Sequence, residues 1–148
     1  MEIREVRGDK KRYLPLLLLA DEQEDMIDRY LERGTMYALE DNGTVRAVCV
    51  VTDEGDGTLE LKNLAVDPAH QRQGCGRRML DFLCKTYHGQ YARLLAGTGD
   101  SPLTLPFYEA CGFSRSHAIP GFFTDHYDHP IFEGGRQLVD MIYLTKAL

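Results

Sequence analysis

The stretch that most constrains this chain runs from Thr58 to Leu83, TLELKNLAVDPAHQRQGCGRRMLDFL. TLELKNLAV alternates with period two, which predicts a strand over 58–66 with Glu60, Lys62, Leu64 and Val66 on one face. Met79, Leu80, Phe82 and Leu83 recur as one side of a helix, so Gln71 to Gly76 forms the loop into that helix's N-terminus. Unpaired N–H groups and the positive end of the helix dipole point into such a loop, which makes it an anion cradle. Glycine at 74 and 76 lets the backbone approach a phosphate with no Cβ in the way. A P-loop would need Gly-Lys followed by Ser or Thr, and a dinucleotide fingerprint would need a third glycine where Met79 stands. The chain meets neither pattern.

The 148 residues favour one domain, 1–148, large enough to bury a core without staples. Seventeen Lys and Arg against 23 Asp and Glu give a net charge of -6, which argues against a nucleic-acid partner although positive charge gathers at 70–78. No apolar run approaches the roughly 20 residues a bilayer span requires, and MEIREVRGDKK lacks a signal-peptide core. A cytoplasmic protein with no membrane partner is expected. Cys49, Cys75, Cys84 and Cys111 are scattered without a CxxC pair and read as reduced thiols, mostly in the core.

Strands and helices alternate along the chain, which implies one mixed sheet. A strand at 2–6 precedes helical residues in two pieces, with Pro15 in the first turn of one and Gly34 closing the other. TMYALE (35–40) and TVRAVCVVTD (44–53) are joined by an Asn42-Gly43 hairpin turn, and Glu54 to Gly57 turns the chain into strand 58–66. Further strands are expected at 91–98, 113–119 and 138–148. Residues 120–137 read as a long excursion between the last two.

Gln71-Arg72-Gln73-Gly74-Cys75-Gly76, following a strand that ends Leu64-Ala65-Val66, resembles the coenzyme A signature of the GCN5-related N-acetyltransferase (GNAT) family. PFYEACGF at 106–113 is similar to that family's second cofactor segment, and the resemblance in element order extends over nearly the whole chain. It implies a mixed, mostly antiparallel sheet flanked by helices, with the fourth and fifth strands splayed apart. It also implies acetyl-CoA as co-substrate. The backbone of Leu64, Ala65 and Val66 would pair with the pantetheine arm. The amides of Gln71, Arg72, Gln73, Gly74, Cys75 and Gly76, with Arg77 at the mouth, would hold the pyrophosphate. Asp100 stands where the family often has an asparagine touching the coenzyme; a carboxylate accepts a hydrogen bond there but donates none.

Amine acetylation needs a proton acceptor and a proton donor. Glu60 occupies a position where family members that use a strand-four base place a glutamate, and its leucine neighbours predict partial burial and a raised pKa. The alternative is a solvated strand glutamate paired with Lys62. Tyr108 matches the family's general-acid tyrosine, the alternative being a core aromatic beside Phe107. Cys111 reads as a packing thiol rather than a covalent relay, so direct transfer in a ternary complex is expected. A non-catalytic acyl-CoA sensor and a protein-amine acetyltransferase are the competing functions.

His117, His126 and His129 fit no standard ligand spacing, so no metal is expected. If 120–137 folds over the cleft, Glu60, Asp125, Asp128 and Glu133 would surround the amine end while positive charge stays at the phosphate end, with Phe122, Phe123 and Tyr127 packing on the acceptor. That predicts a small-molecule primary amine as partner. The alternative places this loop in solvent or in a homodimer interface.

Overall fold

A computed structural model describes Met1–Leu148. Seven strands build the main sheet: β1 (Glu2–Val6), β2 (Thr35–Asp41), β3 (Thr44–Gly55), β4 (Thr58–Val66), β5 (Arg93–Gly99), β6 (Ser114–Ile119) and, after a short hairpin of β7 (Phe132–Glu133) and β8 (Arg136–Gln137), β9 (Met141–Ala147). Their order is β1-β2-β3-β4-β5-β9-β6. Only β4 and β5 run parallel; the other neighbours are antiparallel. Both predicted hairpin turns form, with positive φ at Asn42 and Gly43 and again at Asp56 and Gly57, the geometry that matches strand twist.

Helices cover both faces. On one, α3 (Cys75–Tyr87) and α4 (Leu105–Ala110) bury Met79, Leu80, Leu83 and Leu105 against Leu59, Leu61, Leu94 and Leu144. On the other, α1 (Leu14–Ala20), α2 (Glu24–Asp28) and the turn after it bury Leu17, Ile27 and Leu31 against Met36, Val48 and Val50. No helix is long and apolar enough to cross a membrane. Gly34 does not act as a left-handed cap: α2 ends at Asp28, and a Cβ at Gly34 would lie 2.6 Å from Val50 Cγ1 and 2.8 Å from the Tyr30 carbonyl. Its role is close approach. The turn before it is closed by buried Lys10, whose Nζ donates to the carbonyls of Leu31 at 2.8 Å and Gly34 at 2.7 Å.

Two irregularities make the cleft. Opposite β3 the register passes from Val50↔Asn63 to Val51↔Leu61, so Lys62 is the extra residue of a β-bulge, which bends and re-aims the strand. The predicted single face of Glu60, Lys62, Leu64 and Val66 is therefore broken. Leu64 and Val66 pack onto the α3 side with Leu59 and Leu61, whereas Ala65 joins the α1 side and Asn63 donates to the Leu17 carbonyl at 3.0 Å. Beside this bulge the parallel ladder stops. It runs only from Thr58↔Arg93 to Leu61↔Ala96, and β4 and β5 part beyond it.

Segment 120–137 lies between β6 and β9, as expected of the excursion, and carries structure of its own. It contains α5 (Phe122–His126) and the β7–β8 hairpin, held by a small cluster of Phe123, Ile131 and Leu138.

Candidate functional site

The parting of β4 and β5 leaves an opening in the middle of the sheet that two adjoining cavities share. The larger, about 230 Å³, is lined by Leu64, Ala65, Val66, Gln71, Thr98 and Tyr108 among others. The smaller, about 170 Å³, is lined by Glu60, Arg29, Tyr30, Arg33, Phe122 and Tyr143 among others. Asp21, Leu61, Lys62, Gly97, Tyr127 and Met141 line both, so the cavities meet where the ladder stops. Gly97 permits that meeting: a Cβ there would fall 2.9 Å from the Tyr143 ring and 3.0 Å from Met141 Sδ.

Glu60 and Tyr108 line different cavities, Glu60 the smaller and Tyr108 the larger. Glu60 is 8 % exposed, and burial raises its carboxyl pKa, opposed by Lys62, whose Nζ lies 2.9 Å from Oε2. Burial and ion pairing, set as alternatives by the sequence, hold together. Tyr108 is 9 % exposed, and burial pushes its phenol well above the usual range, so it stays protonated at neutral pH. Its ring packs edge-on against Phe107 and Phe113; it is a core aromatic and a cleft residue at once.

The anion loop differs from expectation in detail. Helix α3 begins at Cys75 with Gly74 as its cap at φ 82°, so Cys75 and Gly76 already form its first turn. The amides of residues 72–77 make no hydrogen bond within the protein, which leaves them for an anion. The two glycines serve different needs. Gly74 has open space around its Cα and requires the left-handed φ, whereas a Cβ at Gly76 would meet the Phe107 ring at 3.1 Å. Gly76 thus admits α4 rather than a phosphate. The Cys75 side chain is buried, so only its amide faces the loop. Arg77 turns a guanidinium towards the Ala110 carbonyl at 3.4 Å and lines a separate outer cavity with Gln73, Gly74 and Arg78. Exposed Arg72 takes a left-handed φ of 62°.

Other expected residues are not brought together. Asp100 is exposed and lies 3.4 Å from Arg136 of β8, away from the cleft; Thr98 and Thr104, with hydroxyls 2.6 Å apart, line the wall instead. Asp125 lines neither cavity, and Asp128 pairs with His129 at 2.6 Å outside them. Glu133 does line the larger one. Positive charge is not confined to the phosphate end, because Arg29, Arg33 and Lys62 line the smaller cavity. His117 stacks on Tyr143 and His126 lies against Phe122.

Sequence reasoning missed Asp21. It accepts from Tyr127 at 2.5 Å and from Tyr30 at 2.9 Å, and Gln23 Oε1 accepts from the Asp128 amide at 2.9 Å. These bonds tie the α1–α2 loop to α5 and its C-terminal end, roofing the cleft. Nothing local at residue 21 announces this, because its partner lies 106 residues on.

Three features fit a ligand with amide and anionic groups. The β5-facing edge of Lys62–Val66 has no strand partner, Asn63 Oδ1 and Glu133 Oε2 are buried without hydrogen-bond partners, and the loop amides are free. A sheet parted in this way beside an amide-lined helix start is the frame of an acyltransferase. The family model described as acetyltransferase (GNAT) domain matches residues 32–115. The uncharacterized N-acetyltransferase YvbK of Bacillus subtilis (strain 168) is 37% identical over 135 residues, 90% of this chain and 87% of that protein. Among solved structures, an IAA acetyltransferase from Bacillus cereus is 33% identical with a TM-score of 0.90, covering 99% of this chain and 100% of that one. A GNAT family acetyltransferase from Elizabethkingia anophelis with acetyl-CoA bound is 35% identical with a TM-score of 0.92, over 99% and 97% of the two chains. The chain belongs to the GNAT family of acetyltransferases.

Proposed function

We propose that the protein moves the acetyl group of acetyl-CoA to the primary amine of a small molecule by direct attack. The observation that carries this reading is the interrupted β4–β5 ladder, with Glu60 and Tyr108 lining the two cavities that meet beside it. Acetyl-CoA supplies an acetyl group activated as a thioester. The free edge of β4 at Leu64, Ala65 and Val66 binds the pantetheine amides as an added strand would. The amides of residues 72–77 hold the pyrophosphate at the start of α3. Glu60 takes a proton from the acceptor's ammonium so that its nitrogen can form the C–N bond. As the C–S bond breaks, Tyr108 gives its proton to the departing thiolate, leaving CoA as the thiol, and the second proton lost by the acetylated nitrogen restores the phenol.

Two features support the finer parts. No cysteine lines either cavity, which favours direct transfer over an acyl-cysteine relay. The roof formed by α5 and its tie to Asp21 covers the acceptor side, which favours a small molecule over an extended peptide. The test is CoA release over a panel of small amines and N-terminal peptides; turnover of peptides alone would overturn the small-molecule reading.

Acetyl-CoA is also expected to raise the melting temperature, since a ligand bound only by the native state adds about 2.7 kcal/mol at a hundredfold excess over Kd. Gly74→Val should abolish most of that shift, because a branched residue resists the φ of 82° that aims the loop amides. A folded Gly74→Val protein with an undiminished shift would remove the anion cradle from the mechanism.

A further inference from the structure

The smaller cavity carries an unexpected charge pattern. Its lining holds two carboxylates, Asp21 and Glu60, against three cations, Arg29, Arg33 and Lys62. Most of these are already engaged. Lys62 pairs with Glu60 at 2.9 Å, Arg33 pairs with Glu54 at 3.0 Å, and both Asp21 oxygens accept tyrosine hydroxyls. Arg29 differs: it is exposed, follows the last turn of α2, and its guanidinium makes neither a salt bridge nor a hydrogen bond within the protein. Between Arg29 and Glu60 the walls are apolar or aromatic, with Met26, Tyr30, Phe122, Tyr127, Met141 and Tyr143.

We propose that Arg29 determines acceptor specificity by binding a carboxylate on the amine substrate, so that the acceptors are small amino acids with an apolar side chain. This rests on the small-amine reading above and narrows it. Glu60, in the wall of the same cavity, receives the amine. A second ammonium, as in a polyamine, would find Glu60 already paired with Lys62 and both oxygens of Asp21 accepting tyrosine hydroxyls. A carboxylate meets the opposite situation, because an unpaired guanidinium presents a planar fork of donors that matches it with two charge-assisted hydrogen bonds. The aromatic walls take the apolar portion between the two charges.

The test compares acceptors that share a skeleton and differ only by the carboxylate: phenylalanine against phenethylamine, and leucine against isoamylamine. Initial rates of CoA release are measured for the wild-type protein, Arg29→Ala, Arg29→Lys and Arg29→Glu, each checked for an unchanged melting temperature, as expected at an exposed position. The wild type should favour the carboxylated member of each pair by about tenfold or more in kcat/KM, the scale of hydrogen bonds to a charged group. Arg29→Ala should erase that ratio through KM for the amino acid, Arg29→Lys should restore part of it, and Arg29→Glu should invert it. A wild-type preference for the plain amines, or a ratio unmoved in Arg29→Ala, overturns this inference and leaves the small-amine reading standing. Turnover of peptides alone, or of no amine at all, overturns both.

Discussion

Tyr108→Phe is expected to lower kcat by about 10²-fold while leaving the KM for acetyl-CoA nearly unchanged. The ring remains, so its edge-on contacts with Phe107 and Phe113 and the core around it persist. Only the hydroxyl is lost, and no group within the protein bonds to that hydroxyl, so its removal leaves no orphaned partner behind. An interaction made chiefly as sulfur gains charge lowers kcat and kcat/KM together, whereas one made equally in the ground state shows in KM. The measurement is steady-state kinetics, with the absence of a pre-steady-state burst establishing that chemistry limits turnover. Full kcat in Tyr108→Phe under those conditions would assign sulfur protonation to another group or to water. A second consequence follows from burial: because the phenol is pushed above its ordinary range, its ionisation should produce no alkaline limb near neutral pH.

The parts of the molecule legible in the sequence are those governed by nearby residues. Asn42-Gly43 requires a tight turn whatever surrounds it, and the glycines after the 58–66 strand mark a helix start that carries free amides. Motif position points to Glu60 and Tyr108, and their lining of the two cavities depends on the same local segments. What escaped was non-local. The bulge at Lys62 is a matter of how β4 meets β3, and it reverses the facing of Leu64 and Val66 that strict alternation predicts. Asp125 and Asp128 cluster in sequence, yet both are exposed, one on α5 and the other just beyond it, and it is Asp21, from the far end of the chain, that lines the cleft. Gly76 shows the same limit. A glycine in a phosphate motif invites a phosphate explanation, but its missing Cβ is required by Phe107, which arrives from a helix about 30 residues later.

Glu60→Gln should lower kcat/KM by about 10²-fold or more and remove from its pH profile the acidic limb due to this carboxyl. The sign follows from the surroundings. Burial raises the pKa of Glu60, with Lys62 the main opposing influence, Arg33 acting in the same direction as Lys62 and Glu54 against it. A base works only when deprotonated, so activity falls as pH drops through a value above the ordinary carboxylate range. Lys62→Met withdraws the main opposing cation, and the limb should move to higher pH; movement to lower pH would contradict the assignment. A measurement independent of activity checks the same group. Because the folded-state pKa lies above the unfolded one, the ionised carboxylate destabilises the fold at neutral pH, and this cost is relieved as pH falls through the folded-state pKa towards the unfolded one. The melting temperature of the wild type should therefore rise relative to that of Glu60→Gln across that window. A constant difference would mean that the carboxyl at 60 has an unperturbed pKa, and an acidic limb seen in the wild type would then belong to the acceptor or to another group.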